Sequence, residues 1–269
     1  MVTDVPRNEF DGRIVLVTAG SKGIGFACAK GFMEGGARIA ICARGEEGLS
    51  AAHEKLSAID PDRVFTMQCD VSSRDLLKKF VAGTVEHFGG TVDILINNNG
   101  GPPAGVTDEL TDEDWLAAVE GNLLSAIRAS ALVLPGMKER QWGRIINLTS
   151  ATAREPAPGM ALSNVTRAGV AAYAKTLSHE VGPFGITVNT VLTGGCMTDR
   201  FHSLLQRRLD NTGEDRETVL AELRGNVPVR FISTPDQFAR TVLFLGSEQS
   251  AYLTGAAIPL DGGTSKSIF

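Results

Sequence analysis

The chain is expected to fold as an α/β protein, a doubly wound parallel sheet in three layers with helices on both faces. Three features of its 269 residues predict this. Apolar runs of strand length alternate with longer helical patterns almost to the C-terminus. The runs are continuous in Val, Ile and Leu, which suits strands covered on both faces. A glycine-rich turn joins the first run directly to the first helix.

In order, residues 13–18 (Arg-Ile-Val-Leu-Val-Thr) read as the first buried strand, 23–34 as a helix stopped by Gly35-Gly36, and 38–42 as the second strand. A helix over 46–58 leads to a strand over 64–68, and one over 73–87 to a strand over 92–97. Thr111 with Asp114 three residues on has the spacing of a capping box, and the helix it opens is expected to reach about residue 134. A strand over 144–148, a helix over 164–181 and a strand over 186–191 follow. Residues 200–225 are helical and charged, 235–245 form a further helix, and 257–260 close the sheet. No Pro/Ser-rich linker, composition shift or repeat divides the chain, so one domain is expected over 1–269, with 1–10 as a short N-terminal arm.

With 43% apolar and 21% charged residues the chain has the material for an ample core. A net charge of −5 gives no electrostatic reason to expect nucleic acid or an anionic membrane as a partner. No apolar run approaches the ~20 residues of a membrane span, and the mixed charge of the opening residues does not suggest a secretory signal. Cys28, Cys42, Cys69 and Cys196 are too scattered for a metal or a disulfide framework, and His53, His87, His179 and His202 do not cluster. The expectation is a cytoplasmic protein without a metal.

The first strand ends in Thr18-Ala19-Gly20-Ser21-Lys22-Gly23-Ile24-Gly25, and a helix follows at once. Such a turn lets backbone approach a pyrophosphate whose charge lies at the helix N-terminus. Its place after the first strand of an alternating β/α chain makes the pattern specific for a dinucleotide. The second strand runs into Arg44, with no acid until Glu46 to take a ribose 2′-hydroxyl, and Lys22 adds a second cation. A 2′-phosphate needs cations, so NADP(H) is favoured over NAD(H), although either cation could be solvated at the surface.

These residues, with others downstream, resemble the short-chain dehydrogenase/reductase family and its Rossmann-type fold over about residues 10–263, closest to the 3-oxoacyl-ACP-reductase-like branch. The turn is similar to the family's TGxxxGxG with Ala19 in place of a glycine; Asn97-Asn98-Asn99-Gly100 is similar to NNAG; Leu192-Thr193-Gly194 stands where the family has a Pro-Gly turn. The resemblance implies adenine contacts at Asp70 and Val71, a nicotinamide contact at Thr198, and Asn122 as the asparagine of the catalytic tetrad. It implies structural motifs at Tyr252–Gly255 and Asp261–Gly263, a substrate lid over 196–235, and a homotetramer or homodimer. Arg200, Arg207 and Arg208 in that lid could meet an acidic substrate or be a solvated helix face.

The family's catalytic pattern places Ser thirteen residues before the Tyr of Tyr-x-x-x-Lys. Here Ser150 is followed thirteen residues later by Ser163, and the lysine position is Arg167. The two tyrosines, Tyr173 and Tyr252, have no Lys four residues on. Residues four apart share a helix face, so Ser163 and Arg167 should point the same way. A phenol of pKa ~10 lowered by a lysine is a usable proton source near neutrality. A serine hydroxyl donates a hydrogen bond but is a poor acid, and an arginine does not exchange its proton. Three readings follow. The favoured one is an NADPH-dependent reductase of a small-molecule or acyl-thioester carbonyl, with Ser150 and Ser163 as an oxyanion site, Arg167 behind them, and water or substrate delivering the proton. The others are a different reaction, such as an isomerisation or elimination, and dinucleotide binding without turnover.

Overall fold

The structure, a computed structural model, describes residues 8–268; residues 1–7 of the expected arm lie outside the described residues. The end of that arm is fixed. Phe10 is buried edge-on against Phe32, with ring centroids 4.7 Å apart, and its N–H donates to the Gly35 carbonyl.

Seven strands form one sheet: β1 Ile14–Val17, β2 Arg38–Ala43, β3 Val64–Gln68, β4 Ile94–Asn97, β5 Gly143–Leu148, β6 Ile186–Thr193 and β7 Ala257–Leu260. Their order is β3-β2-β1-β4-β5-β6-β7 and every pairing is parallel. The chain reverses its direction of travel across the sheet at β1, which has β2 on one side and β4 on the other. Ligands of open α/β sheets bind at such a switch point, beyond the carboxyl ends of the strands.

The nine helices among the described residues are α1 Gly23–Glu34, α2 Glu46–Ser57, α3 Arg74–Phe88, α4 Asp112–Ala118, α5 Ser125–Glu139, α6 Ala161–Val181, α7 Asp199–Thr212, α8 Arg216–Gly225 and α9 Pro235–Gly246. Successive residues of a strand face opposite ways, and β1 shows the consequence. Val15 and Val17 join one core with α1, α2 and α9, while Ile14 and Leu16 join the other with α3, α5 and α6. Both faces are therefore apolar, which is why the strand runs do not alternate.

The expected capping box is present: Thr111 Oγ1 accepts from the Asp114 N–H, and Asp114 Oδ2 accepts from the Thr111 N–H. The helix it opens outruns the expected end. A π-helical segment, Val119–Leu124, carries it into α5 and on to Glu139. Within Asp112–Glu139 an 18-residue window has a mean hydropathy of 1.3, long and apolar enough by length and composition alone to cross a membrane. In the fold its apolar face is spent on the sheet: Ala126, Ala129, Val133 and Met137 are buried. The helical stretch expected over 200–225 is two helices, because Gly213 turns left-handed (φ 68°) and Asp215 caps α8 by accepting from the Thr218 N–H. Arg208 ties the two together through Glu214 and Glu222.

Candidate active site

The glycine-rich turn occupies the carboxyl end of β1. Gly20 donates its N–H to the Cys42 carbonyl, anchoring the turn to β2. Thr18, buried, donates to the Asn98 carbonyl at 2.7 Å and accepts the Asn98 N–H at 2.9 Å, which ties the turn to β4. Asn98 Nδ2 then donates to the Ala19 carbonyl at 3.0 Å. A Cβ at Gly25 would lie 2.5 Å from that same amide nitrogen, so α1 can start there only with glycine. Gly23 has φ 56°, the left-handed region in which a side chain costs about 1–2 kcal/mol. Ala19 adopts φ 47° with its methyl in place. The alanine that replaces a family glycine thus keeps the glycine-like backbone.

Two adjoining hollows open over the strand ends. A cleft of about 1070 Å³ is walled by Ser21, Lys22, Arg44, Asp70 and Val71, with Gly100 and Asn122 at its far end. Asp70 accepts from the N–H and hydroxyl of Ser72 at 3.0 and 2.8 Å. Burial works to raise its carboxyl, but those bonds and the charge of Arg44 outweigh it and hold the group below its ordinary value. Arg44 is exposed, with no acidic residue at the end of β2 to pair with it. Lys22 lies in the same wall, and its Nζ is 3.9 Å from Asp199 at the start of α7, with both groups well exposed. Arg44 lines the larger cleft, and Lys22 lines both hollows.

The second hollow, of about 460 Å³, brings Gly23 and Ile24 of the turn together with Ser150, Ser163 and Arg167. Thr193, Gly194 and Thr198 form its roof. Thr193 donates to the Thr149 carbonyl at 2.7 Å, and Gly194 donates to the Leu260 carbonyl at 3.0 Å, fixing the end of β6 to the segments after β5 and at the end of β7. Thr198 caps α7 by accepting the Phe201 N–H. Ser163 and Arg167 share one face of α6, as their spacing requires.

The hydroxyls are connected through a residue that the motif count does not reveal. Thr152 Oγ1 donates to Ser150 Oγ at 3.1 Å and lies 3.3 Å from Ser163 Oγ. Its place two residues after a serine, in an ST-turn, was the available signal. Neither tyrosine reaches this hollow. Tyr173 packs in the core with α3 and α5, and Tyr252 is fully exposed.

Asn97 donates to Asn147 Oδ1 at 2.9 Å and to Ser130. Asn122 donates to the Ala118 carbonyl from the π-helical segment, which turns it toward the strand ends. Asn97, Asn99 and Asn122 each keep a buried Oδ1 without a partner. So does the Nε of Arg167. Arg167 is 6% exposed, and its Nη1 donates to the Leu148 carbonyl at 3.2 Å. Burial, then the nearby charge of Arg200, push its guanidinium down to about 10, so it remains charged at neutral pH.

The family model for short chain dehydrogenases matches residues 13–209. The chain belongs to the short-chain dehydrogenase family. It is 34% identical over 255 residues to the 3-oxoacyl-(acyl-carrier-protein) reductase of Vibrio cholerae, covering 95% of this chain and 98% of that one. Among solved structures it is similar to an actinorhodin polyketide ketoreductase with NADPH, at 33% identity and TM-score 0.90, covering 95% of this chain and 98% of that chain. It is also similar to a short chain oxidoreductase from Pseudomonas aeruginosa described as containing an atypical catalytic center, at 32% identity and TM-score 0.88, covering 96% and 99%. These relationships span both hollows of this short-chain dehydrogenase and the lid between them.

Proposed function

We propose that this chain is an NADPH-dependent carbonyl (3-oxoacyl-like) reductase working without a phenol. The observation that carries the reading is the single hollow in which the glycine turn meets Ser150, Ser163 and Arg167. The residues fit a dinucleotide: the glycine-rich turn leads directly into the N-terminus of α1, Asp70 and Val71 wall the larger cleft, and Arg44 in the same wall offers a cation to a 2′-phosphate. NADPH, when bound, supplies the hydride. The chain's own residues meet what the hydride leaves behind, a negative charge on the carbonyl oxygen. Ser163 and Ser150 donate hydrogen bonds to that oxygen, and Thr152 between them fixes both hydroxyls in direction. Arg167 offsets the charge and keeps its own proton, so water or the substrate completes the alcohol. The neighbours named as reductases, one of them with NADPH, support this reading. A homotetramer or homodimer and a cytoplasmic location belong to the same proposal.

The test is to titrate NADPH by fluorescence and then follow its oxidation with ketones, short oxo acids and 3-oxoacyl thioesters. NADPH binding with turnover is expected. Tight binding without oxidation across the panel would replace this reading with a different reaction or with binding alone. Arg44→Asp should weaken NADPH relative to NADH by about tenfold, the loss of one charge-assisted contact. An unchanged preference would refute the assigned phosphate contact.

A further inference from the structure

The 460 Å³ hollow is lined by four charged groups, and they do not balance. Lys22 and Asp199 face each other across its mouth, both largely in water. The remaining two, Arg167 and Arg200, are both cations. Arg200 crosses from the start of α7 to the loop after β4, where its Nη2 donates to the Pro102 carbonyl at 3.2 Å. Among the described residues no carboxylate is ion-paired with either arginine, and Arg167 keeps a buried, unpartnered Nε. Burial first, and the positive charge of Arg200 second, lower the Arg167 guanidinium. Two like charges beside one apolar-walled hollow, one nearly sealed from water, are a poor design for an empty site and a good one for an anion.

We propose that the substrate carries its own carboxylate, so that the preferred ligand is a short oxo acid held between Arg167 and Arg200 and not a neutral ketone or a thioester. This rests on the carbonyl-reductase reading and narrows it. The carbonyl oxygen faces Ser163 and Ser150. The carboxylate, one or two carbons away, takes the N–H groups of the two guanidiniums, which present planar forks suited to carboxylate geometry. Arg200 belongs to the lid, so the bound carboxylate ties α7 to α6 across the hollow. The second source of negative charge is the cofactor's own phosphates, and the experiment separates the two.

Protein loaded with NADP⁺ is titrated by calorimetry with 3-oxobutanoate and with its methyl ester, for the wild type and for Arg200→Gln. The acid is expected to bind at least tenfold more tightly than the ester in the wild type, and that ratio should fall toward one in the variant. Equal binding of acid and ester in the wild type overturns the proposal, as does an unchanged ratio in Arg200→Gln. If the variant loses NADP⁺ affinity by as much as it loses acid affinity, the guanidinium serves the cofactor phosphates and the proposal also fails. The readout is binding, so the two readings part cleanly. Acid-selective binding without NADPH oxidation would sink the reductase and keep the anion site, and turnover of the ester equal to the acid would do the reverse.

Discussion

Arg144 and Arg167 are both buried arginines on neighbouring elements, β5 and α6, and their surroundings could hardly differ more. Arg144, 2% exposed, donates to the carbonyls of Gly143, Gly185 and Ser247, reaches Glu248 at 3.2 Å, and lies 4.3 Å above the Trp142 ring. Its donors are used up by the fold. Arg167 has the Leu148 carbonyl, an unpartnered Nε and a second cation for company. A buried charge that the fold satisfies holds structure together; one that it leaves unsatisfied costs stability until a ligand or water meets it. The far ends of β5 express the same division, because Arg144 begins the strand and Ser150 follows its exit into the hollow.

Arg167→Met puts this contrast under the greatest strain. Turnover should drop about a hundredfold to a thousandfold, the range for losing a preorganised charge at an oxyanion, while the thermal midpoint holds or rises. A variant that loses its fold and its activity together would make Arg167 structural. Arg144→Met should show the opposite pattern. Denaturant titration is expected to report a loss of about 3 kcal/mol, since several buried carbonyls lose their donor, with NADPH affinity retained. Little change in midpoint there would erase the distinction between the two arginines. The double substitution Ser163→Tyr with Arg167→Lys should raise the reduction of simple ketones by about tenfold, because it restores a tunable acid. A folded double variant with no gain would count against the assigned register.

The smallest effect is in pH. Burial lowers the guanidinium of Arg167 from its ordinary value to about 10, so the folded chain holds that proton less tightly than the unfolded one. The resulting cost is fully present below pH 10 and is relieved as pH rises above it toward the ordinary arginine value. The stability advantage of Arg167→Met over wild type should therefore shrink between pH 9 and 11, read as paired urea midpoints. A gap that stays constant would mean that the guanidinium pays no desolvation penalty.

Much of the cofactor side was legible in the residues. Val15 and Val17 against Ile14 and Leu16 follow from a strand buried on both faces, and the β1 turn follows from its glycines. The spacing from Ser150 to Ser163 to Arg167 was countable, and the three line one hollow. Lys22 was harder to place. Its sequence neighbours suggest a phosphate cation, but its long side chain turns toward Asp199, which is distant in the chain. The far end of the helix opened at Thr111 was missed for a local reason: the expected helix stops just before Pro135, a residue that normally ends a helix, whereas α5 keeps Pro135 inside it and runs to Glu139.

Local pattern alone determined the alternation of strands and helices, the parallel sheet and the nucleotide turn, because backbone geometry and two-faced burial leave their period in neighbouring residues. It also determined that a hydroxyl and a guanidinium stand at the reactive positions. Tertiary structure decided their company: Thr152 bridging two serines, Arg200 arriving from the start of α7, and, among the described residues, no carboxylate paired with Arg167. The partners of a long polar side chain come from loops remote in sequence, and only the closing of the sheet over its helices settles which of them it meets.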